Sequence, residues 1–202
     1  MEGCQLKQLP EELTALEGLA SLGIMHNEAP LDEATWQLLP RLKALTALKI
    51  KGCSLSALPP QLSALTQLAY LSVGGNDGLG NKADISNSSH KAWAPLQHLT
   101  ALTGLKLDGC DLRRLPRALA SLCQLRKLSL YGNSQMGRGP DSWEPLAALT
   151  ALKNLGLSQC GIHRLPGQLS VKGKDYSVAT WGLAPWGFPK EDNQWLTCLR
   201  RG

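Results

Sequence analysis

Between Leu99 and Asn133 the chain places leucine at every third position and then switches to Leu-x-Leu ahead of a Cys or an Asn. Leu99, Leu102, Leu105, Leu107, Cys110, Leu112 and Leu115 form one unit, closed by Pro116. Leu119, Leu122, Leu125, Leu128, Leu130 and Asn133 form most of a second. Side chains alternate along a strand, so each Leu-x-Leu predicts a short strand with two leucines on one side. The Cys or Asn that follows predicts a turn whose side chain bonds to backbone groups of neighbouring turns. Pairs at Leu9-Pro10, Leu58-Pro59, Leu115-Pro116 and Leu165-Pro166 predict the start of a short helix, where the N–H that proline lacks costs nothing.

The order of positions recurs along the chain. Met1-Glu2-Gly3-Cys4 matches Ile50-Lys51-Gly52-Cys53 and Leu107-Asp108-Gly109-Cys110, with Met1 in the place of a strand leucine. The interval from Cys to Asn is 23 residues three times over, at Cys4–Asn27, Cys53–Asn76 and Cys110–Asn133. The return interval varies: 26 from Asn27 to Cys53, 34 from Asn76 to Cys110 and 27 from Asn133 to Cys160. All of that variation lies ahead of a tryptophan, because Trp36, Trp93 and Trp143 each precede a Cys by 17 residues and open a leucine triplet series. Spacing continuous with the leucines predicts that these tryptophans pack in the core on the outer side; a docking anchor is the competing reading.

In register and period the chain resembles the leucine-rich repeat. The resemblance implies an α/β solenoid, a horseshoe arc whose concave face is a parallel sheet of about six to seven short strands. Residues 1–169 would supply about seven turns, the first incomplete, and 170–202 an irregular cap or a disordered tail. Triplet spacing leaves the convex side open between helices, 3₁₀ turns and extended segments. The Leu-Pro units look like the intracellular repeats of Ras-pathway and cell-polarity scaffolds, and the Trp units depart from that pattern. Relatives also occur in axonemes and as sensor parts of immune receptors.

Three stretches break the pattern. The insert between Asn76 and Trp93 is rich in Gly, Asn and Ser and predicts a solvent-exposed loop, either holding a specific contact or a tolerated insertion. Beyond Leu169 the register fails, although Trp181, Trp186, Phe188 and Trp195 could cover the last leucines. Met1 at a strand position suggests an array that begins inside a longer one.

Composition narrows the function. A net charge of +5 spread over 202 residues, without a basic run, does not indicate nucleic acid or a membrane surface. The first residues lack a basic start and an apolar centre, so no signal peptide is expected and the sequon at Asn87 should stay unmodified. Of the six cysteines, Cys4, Cys53, Cys110 and Cys160 fall on alternate turns. Strands about 4.8 Å apart would hold successive ones roughly 10 Å from each other, too far to bridge. They read as buried thiols suited to a reducing cytosol, and with no Cys-x-x-Cys a metal site has no support. Cys123 reads as a small apolar residue inside the leucine series. His26, His90, His98 and His163 lack a nucleophile or carboxylate at a motif spacing. Gly173-Lys174 lacks both the leading glycine and the Ser or Thr of a phosphate loop. Neither an enzyme nor a cofactor is expected.

What remains is a surface. The residues between and after the strand leucines face away from the core: Gly23 and Met25, Lys49 and Lys51, Ser72 and Gly74, Lys106 and Asp108, Ser129 and Tyr131, Gly156 and Ser158. Tyr70 and Lys127 join them at the edge. Lys49, Lys51, Tyr70, Lys106, Asp108, Lys127 and Tyr131 should then form one shallow, mildly basic patch with two aromatic anchors, suited to an acidic protein partner. The expected molecule is a monomeric scaffold or adaptor in the cytoplasm, or in the ciliary axoneme. The alternative is a structural fragment of a longer array with no binding of its own.

Overall fold

In the computed structural model the described residues are 6–27, 30–81, 88–137, 142–162 and 177–179. They hold seven strands in one parallel sheet in sequence order: β1 (Ser21–Gly23), β2 (Ala47–Lys49), β3 (Tyr70–Ser72), β4 (Gly104–Lys106), β5 (Lys127–Ser129), β6 (Asn154–Gly156) and β7 (Ser177–Ala179). Each of the first six centres on the first leucine of a Leu-x-Leu. These leucines form one buried row through Leu22, Leu48, Leu71, Leu105, Leu128 and Leu155. The second leucine or its equivalent, at Ile24, Ile50, Val73, Leu107, Leu130 and Leu157, is buried beside it.

The polar turns close on the preceding turn's backbone. Asn133 is fully buried; its Oδ1 accepts from the Cys110 and Leu112 N–H groups at 3.1 and 3.0 Å, and its Nδ2 donates to the Leu107 and Leu130 carbonyls at 2.9 and 2.7 Å. Asn76 repeats the arrangement with Cys53, Leu55, Ile50 and Val73. At the alternate turns a thiol replaces the amide: Cys53 Sγ donates to Ile24 O, Cys110 Sγ to Val73 O and Cys160 Sγ to Leu130 O, at 3.2, 3.4 and 3.1 Å. The residue before each of these positions has positive φ, which glycine meets at Gly52, Gly75, Gly109 and Gly132. His26 and Gln159 adopt it without being glycine, at φ 53 and 56.

The outer side is mostly 3₁₀ helix. After Leu-Pro come Glu11–Ala15, Pro60–Ala64 and Arg117–Ser121; after the tryptophans come Leu39–Arg41, Ala94–His98 and Glu144–Ala148. A 3₁₀ helix has three residues per turn, so leucines three apart stack on one side. Accordingly Leu119, Leu122 and Leu125 are all buried, and each N–H bonds three residues back. Trp36, Trp93 and Trp143 are buried, as core packing requires. The residue before each tryptophan also ties the preceding Leu-Pro unit: Leu9 N donates to Thr35 Oγ1, Leu58 N to Ala92 O and Leu115 N to Ser142 O.

Three expectations change. The insert after Asn76 is not simply a solvent-exposed loop, since two short helices lie in it. Helix α1 (Glu33–Leu38) precedes it, capped by Asp32, and the insert carries α2 (Gly78–Asn81) and α3 (Ser88–Trp93). Leu79 is fully buried, and a Cβ at Gly80 would lie 2.3 Å from the Cys110 carbonyl oxygen, so α2 is pressed onto the next turn. The sheet continues past residue 169, because Val178 of β7 pairs in register with Leu155. Leu16, at the end of the first of the outer 3₁₀ helices, is 56% exposed, whereas its counterparts Leu65 and Leu122 are buried. Cys123 is exposed rather than packed among the leucines. The expectations about Met1 and the tail tryptophans fall outside the described residues.

Candidate functional site: the open face of the sheet

Strand register aligns the residues of the sheet in three rows. The first crosses the strand starts as Ser21, Ala47, Tyr70, Gly104, Lys127, Asn154 and Ser177. The second crosses the strand ends as Gly23, Lys49, Ser72, Lys106, Ser129, Gly156 and Ala179. Backbone bonds such as Gly75 N to Asp108 O and Gly109 N to Tyr131 O carry the pairing two residues further, giving a third row of Lys51, Gly74, Asp108 and Tyr131. All seven residues singled out in the sequence therefore lie on one face.

They do not form one compact cluster. Tyr70 and Tyr131 sit four positions apart along the strand direction and two strands apart, on the order of 16 Å. Each tyrosine thus marks its own end of the face. Lys49 and Lys106 are two strands apart with Ser72 between them, and only Lys49, Lys127 and Tyr131 are exposed, the others being half-buried.

Asp108 organises the far end. Its Oδ1 accepts from the Ser129 hydroxyl and from the Tyr131 N–H at 3.0 Å, so the carboxylate fixes β5 at the point where Tyr131 projects. Gly74 makes room for this: a Cβ there would lie 2.7 Å from the Asp108 carbonyl oxygen. Burial pushes the Asp108 pKa up, and the Ser129 hydroxyl, Lys106, the Tyr131 N–H and Lys51 oppose that rise. Burial likewise lowers the pKa of Lys106, with Lys49 and Lys51 adding to the fall and Asp108 resisting it. Burial raises the Tyr70 hydroxyl, against its bond with Ser72 and with help from Asp108. Asp108 is thus the local counter-ion of a cationic face and a positioning residue for Tyr131.

Sequence reasoning missed Ser129 as the partner of Asp108, and missed Arg126 and Thr103 at the strand starts. Arg126 stands beside Lys127 in Leu125-Arg126-Lys127-Leu128, and that basic pair was the available signal. Among the described residues no group of three or more His, Cys, Asp and Glu side chains is placed to hold a metal ion, and no helix is long and apolar enough to cross a membrane.

Among solved structures the chain is similar to a leucine-rich repeat protein of Leptospira interrogans, with 22% identity and a TM-score of 0.56 over 77% of this chain and 41% of that one. It is also similar to the structure of the Toll–Spatzle complex of Drosophila, with 15% identity and a TM-score of 0.59 over 87% of this chain and 25% of that one. The fold is that of a leucine-rich repeat protein. The chain spans less than half the length of each of these leucine-rich repeat chains. No protein-family model matches it, and no curated protein does.

Proposed function

We propose that this leucine-rich repeat chain is a protein-interaction module of scaffold or adaptor type, holding a protein partner against the concave face of its sheet. The observation that carries the reading is the alignment of Lys49, Lys51, Tyr70, Lys106, Lys127 and Tyr131 on one face, with Asp108 as the only carboxylate among them. A rigid sheet with short strands presents such residues with little ordering cost. Lysines at a rim steer an acidic partner, and tyrosine anchors it. The Toll neighbour is seen in a complex with Spatzle, which accords with a partner-binding role. The buried thiols of Cys53, Cys110 and Cys160 suit a reducing compartment, and a cytoplasmic location is part of the same proposal.

Capture of a saturable partner on the immobilised chain, compared between the wild type and the double variant Lys106→Glu/Tyr131→Ala, tests this. The reading predicts binding weakened at least about tenfold, equivalent to about 1.4 kcal/mol, with the fold unchanged. Glycine and serine fill Gly23, Ser72, Gly74, Gly104, Gly156 and Ser158, as on a plain solvated sheet. Absence of any saturable partner would favour that second reading, a structural fragment of a longer array.

A further inference from the structure

At the strand starts, Tyr70, Gly104 and Lys127 are neighbours in one row. Gly104 puts no side chain between the other two, and the Tyr70 ring leans over it: a Cβ there would lie 3.0 Å from Cδ2 and 3.6 Å from Cε2. This leaves a hollow of about 360 Å³ lined by Tyr70, Thr103, Gly104, Arg126 and Lys127. One wall is aromatic. The other is cationic, and both Arg126 and Lys127 are exposed. Thr103 Oγ1 donates to Ala69 O at 3.2 Å, which ties it to the neighbouring strand. Among the described residues no ion pair engages the Arg126 guanidinium. Asp108, the carboxylate of this face, lies at the other end of the strands and already accepts from Ser129 and Tyr131.

We propose that this hollow is an anchor pocket for a glutamate or aspartate side chain of an acidic peptide segment laid across the sheet. The proposal rests on the concave-face reading and adds the chemistry of the partner's anchor. The guest's methylenes lie on the Tyr70 ring where Gly104 leaves space, and its carboxylate meets Arg126 and Lys127. A guanidinium offers paired N–H donors in a plane that matches a carboxylate. A basic guest is repelled there, and an apolar one leaves the Arg126 guanidinium partly desolvated with no carboxylate to receive its N–H groups. Lys49, Lys51 and Lys106, further along the face, provide the field for an acidic flanking sequence.

The test uses a phage-displayed library of short random peptides with no free C-terminus, selected on the immobilised wild-type chain. Selected peptides are synthesised as C-terminal amides and titrated by fluorescence polarisation. Each is measured against the wild type, Arg126→Glu, Gly104→Leu and Lys106→Glu/Tyr131→Ala. Lys43→Glu serves as an equal charge change at an exposed lysine outside the three rows. Thermal melts of every variant check the fold, and Arg126→Gln gives a milder substitution. The proposal predicts a shared acidic residue whose change to Gln or Asn weakens binding about tenfold or more. It also predicts a similar loss in Arg126→Glu and Gly104→Leu, little effect of Lys43→Glu, and no further loss when the Gln peptide meets Arg126→Gln. Peptides that depend on Lys106 and Tyr131 but ignore the changes at Arg126 and Gly104 would overturn the pocket and leave the concave reading standing. Peptides indifferent both to the changes at Arg126 and Gly104 and to Lys106→Glu/Tyr131→Ala, or an empty selection, would overturn both.

Discussion

Replacing Asn133 with alanine should be among the most damaging single changes in the chain. The side chain is fully buried and satisfies four backbone groups: the N–H groups of Cys110 and Leu112 and the carbonyls of Leu107 and Leu130. Truncation leaves all four without that partner in an apolar setting, and an unsatisfied buried group costs about 1–3 kcal/mol. Local adjustment and water entry recover part of this, so a loss of about 4 kcal/mol is expected, a large share of the 5–15 kcal/mol typical of whole domains. Cys110→Ala at the alternate turn removes one weak thiol bond, to Val73 O, and should cost about 1–2 kcal/mol, mostly as lost packing. Urea titrations of the two variants followed by circular dichroism, with slopes compared to confirm a single transition, measure the difference. A cost for Asn133→Ala below about 1 kcal/mol, or equal to that of Cys110→Ala, would refute the view that the asparagine turns hold the array together.

Three further outcomes follow from burial and charge. Leu105→Ala, at a fully buried position in the central leucine row, should cost about 2–5 kcal/mol, whereas Leu16→Ala, 56% exposed, should change the urea midpoint little. Thiol labelling resolved by peptide mass spectrometry should modify exposed Cys123 rapidly at pH 8 and Cys53, Cys110 and Cys160 slowly. Burial pushes Cys110 up to about 12 and Cys160 up to about 11, which holds both as thiols at that pH. Because burial raises the Asp108 pKa above its unfolded value, the folded state binds that proton more tightly. The Asp108 contribution to stability is therefore greatest below the ordinary carboxylate range and declines as pH rises through the raised value. Comparing the pH dependence of the urea midpoint in the wild type and Asp108→Asn isolates it, and an unchanged profile would contradict the assignment.

The strands, the Asn and Cys turns, the Leu-Pro starts and the buried tryptophans were legible because each rests on a local period with one physical meaning. The 3₁₀ character of the outer side was not, although its period of three was visible. Leucine triplets also suit an extended segment, and what decides is the chain of backbone bonds three residues apart, such as Leu122 N to Leu119 O. Leu79 and Gly80 sit in a polar stretch that reads as loop, and only their contact with the next turn reveals a buried helix there. Ser177-Val178-Ala179 has no leucine and no Leu-x-Leu, so its place as a strand comes from its register with β6. Alternation put the seven face residues on the correct side. It could not give neighbours across strands, so the bond from Ser129 to Asp108, the distance between the two tyrosines and the hollow at Gly104 were invisible along a single strand.

The claim that the sheet face holds a partner is tested most directly by lysine acetylation, read by mass spectrometry, of the chain alone and saturated with a bound partner or selected peptide. The account predicts that Lys49, Lys51, Lys106 and Lys127 become shielded in the complex while Lys7 and Lys43 keep their reactivity. Shielding of Lys7 or Lys43 with the four face lysines still labelled would place the partner elsewhere and contradict it.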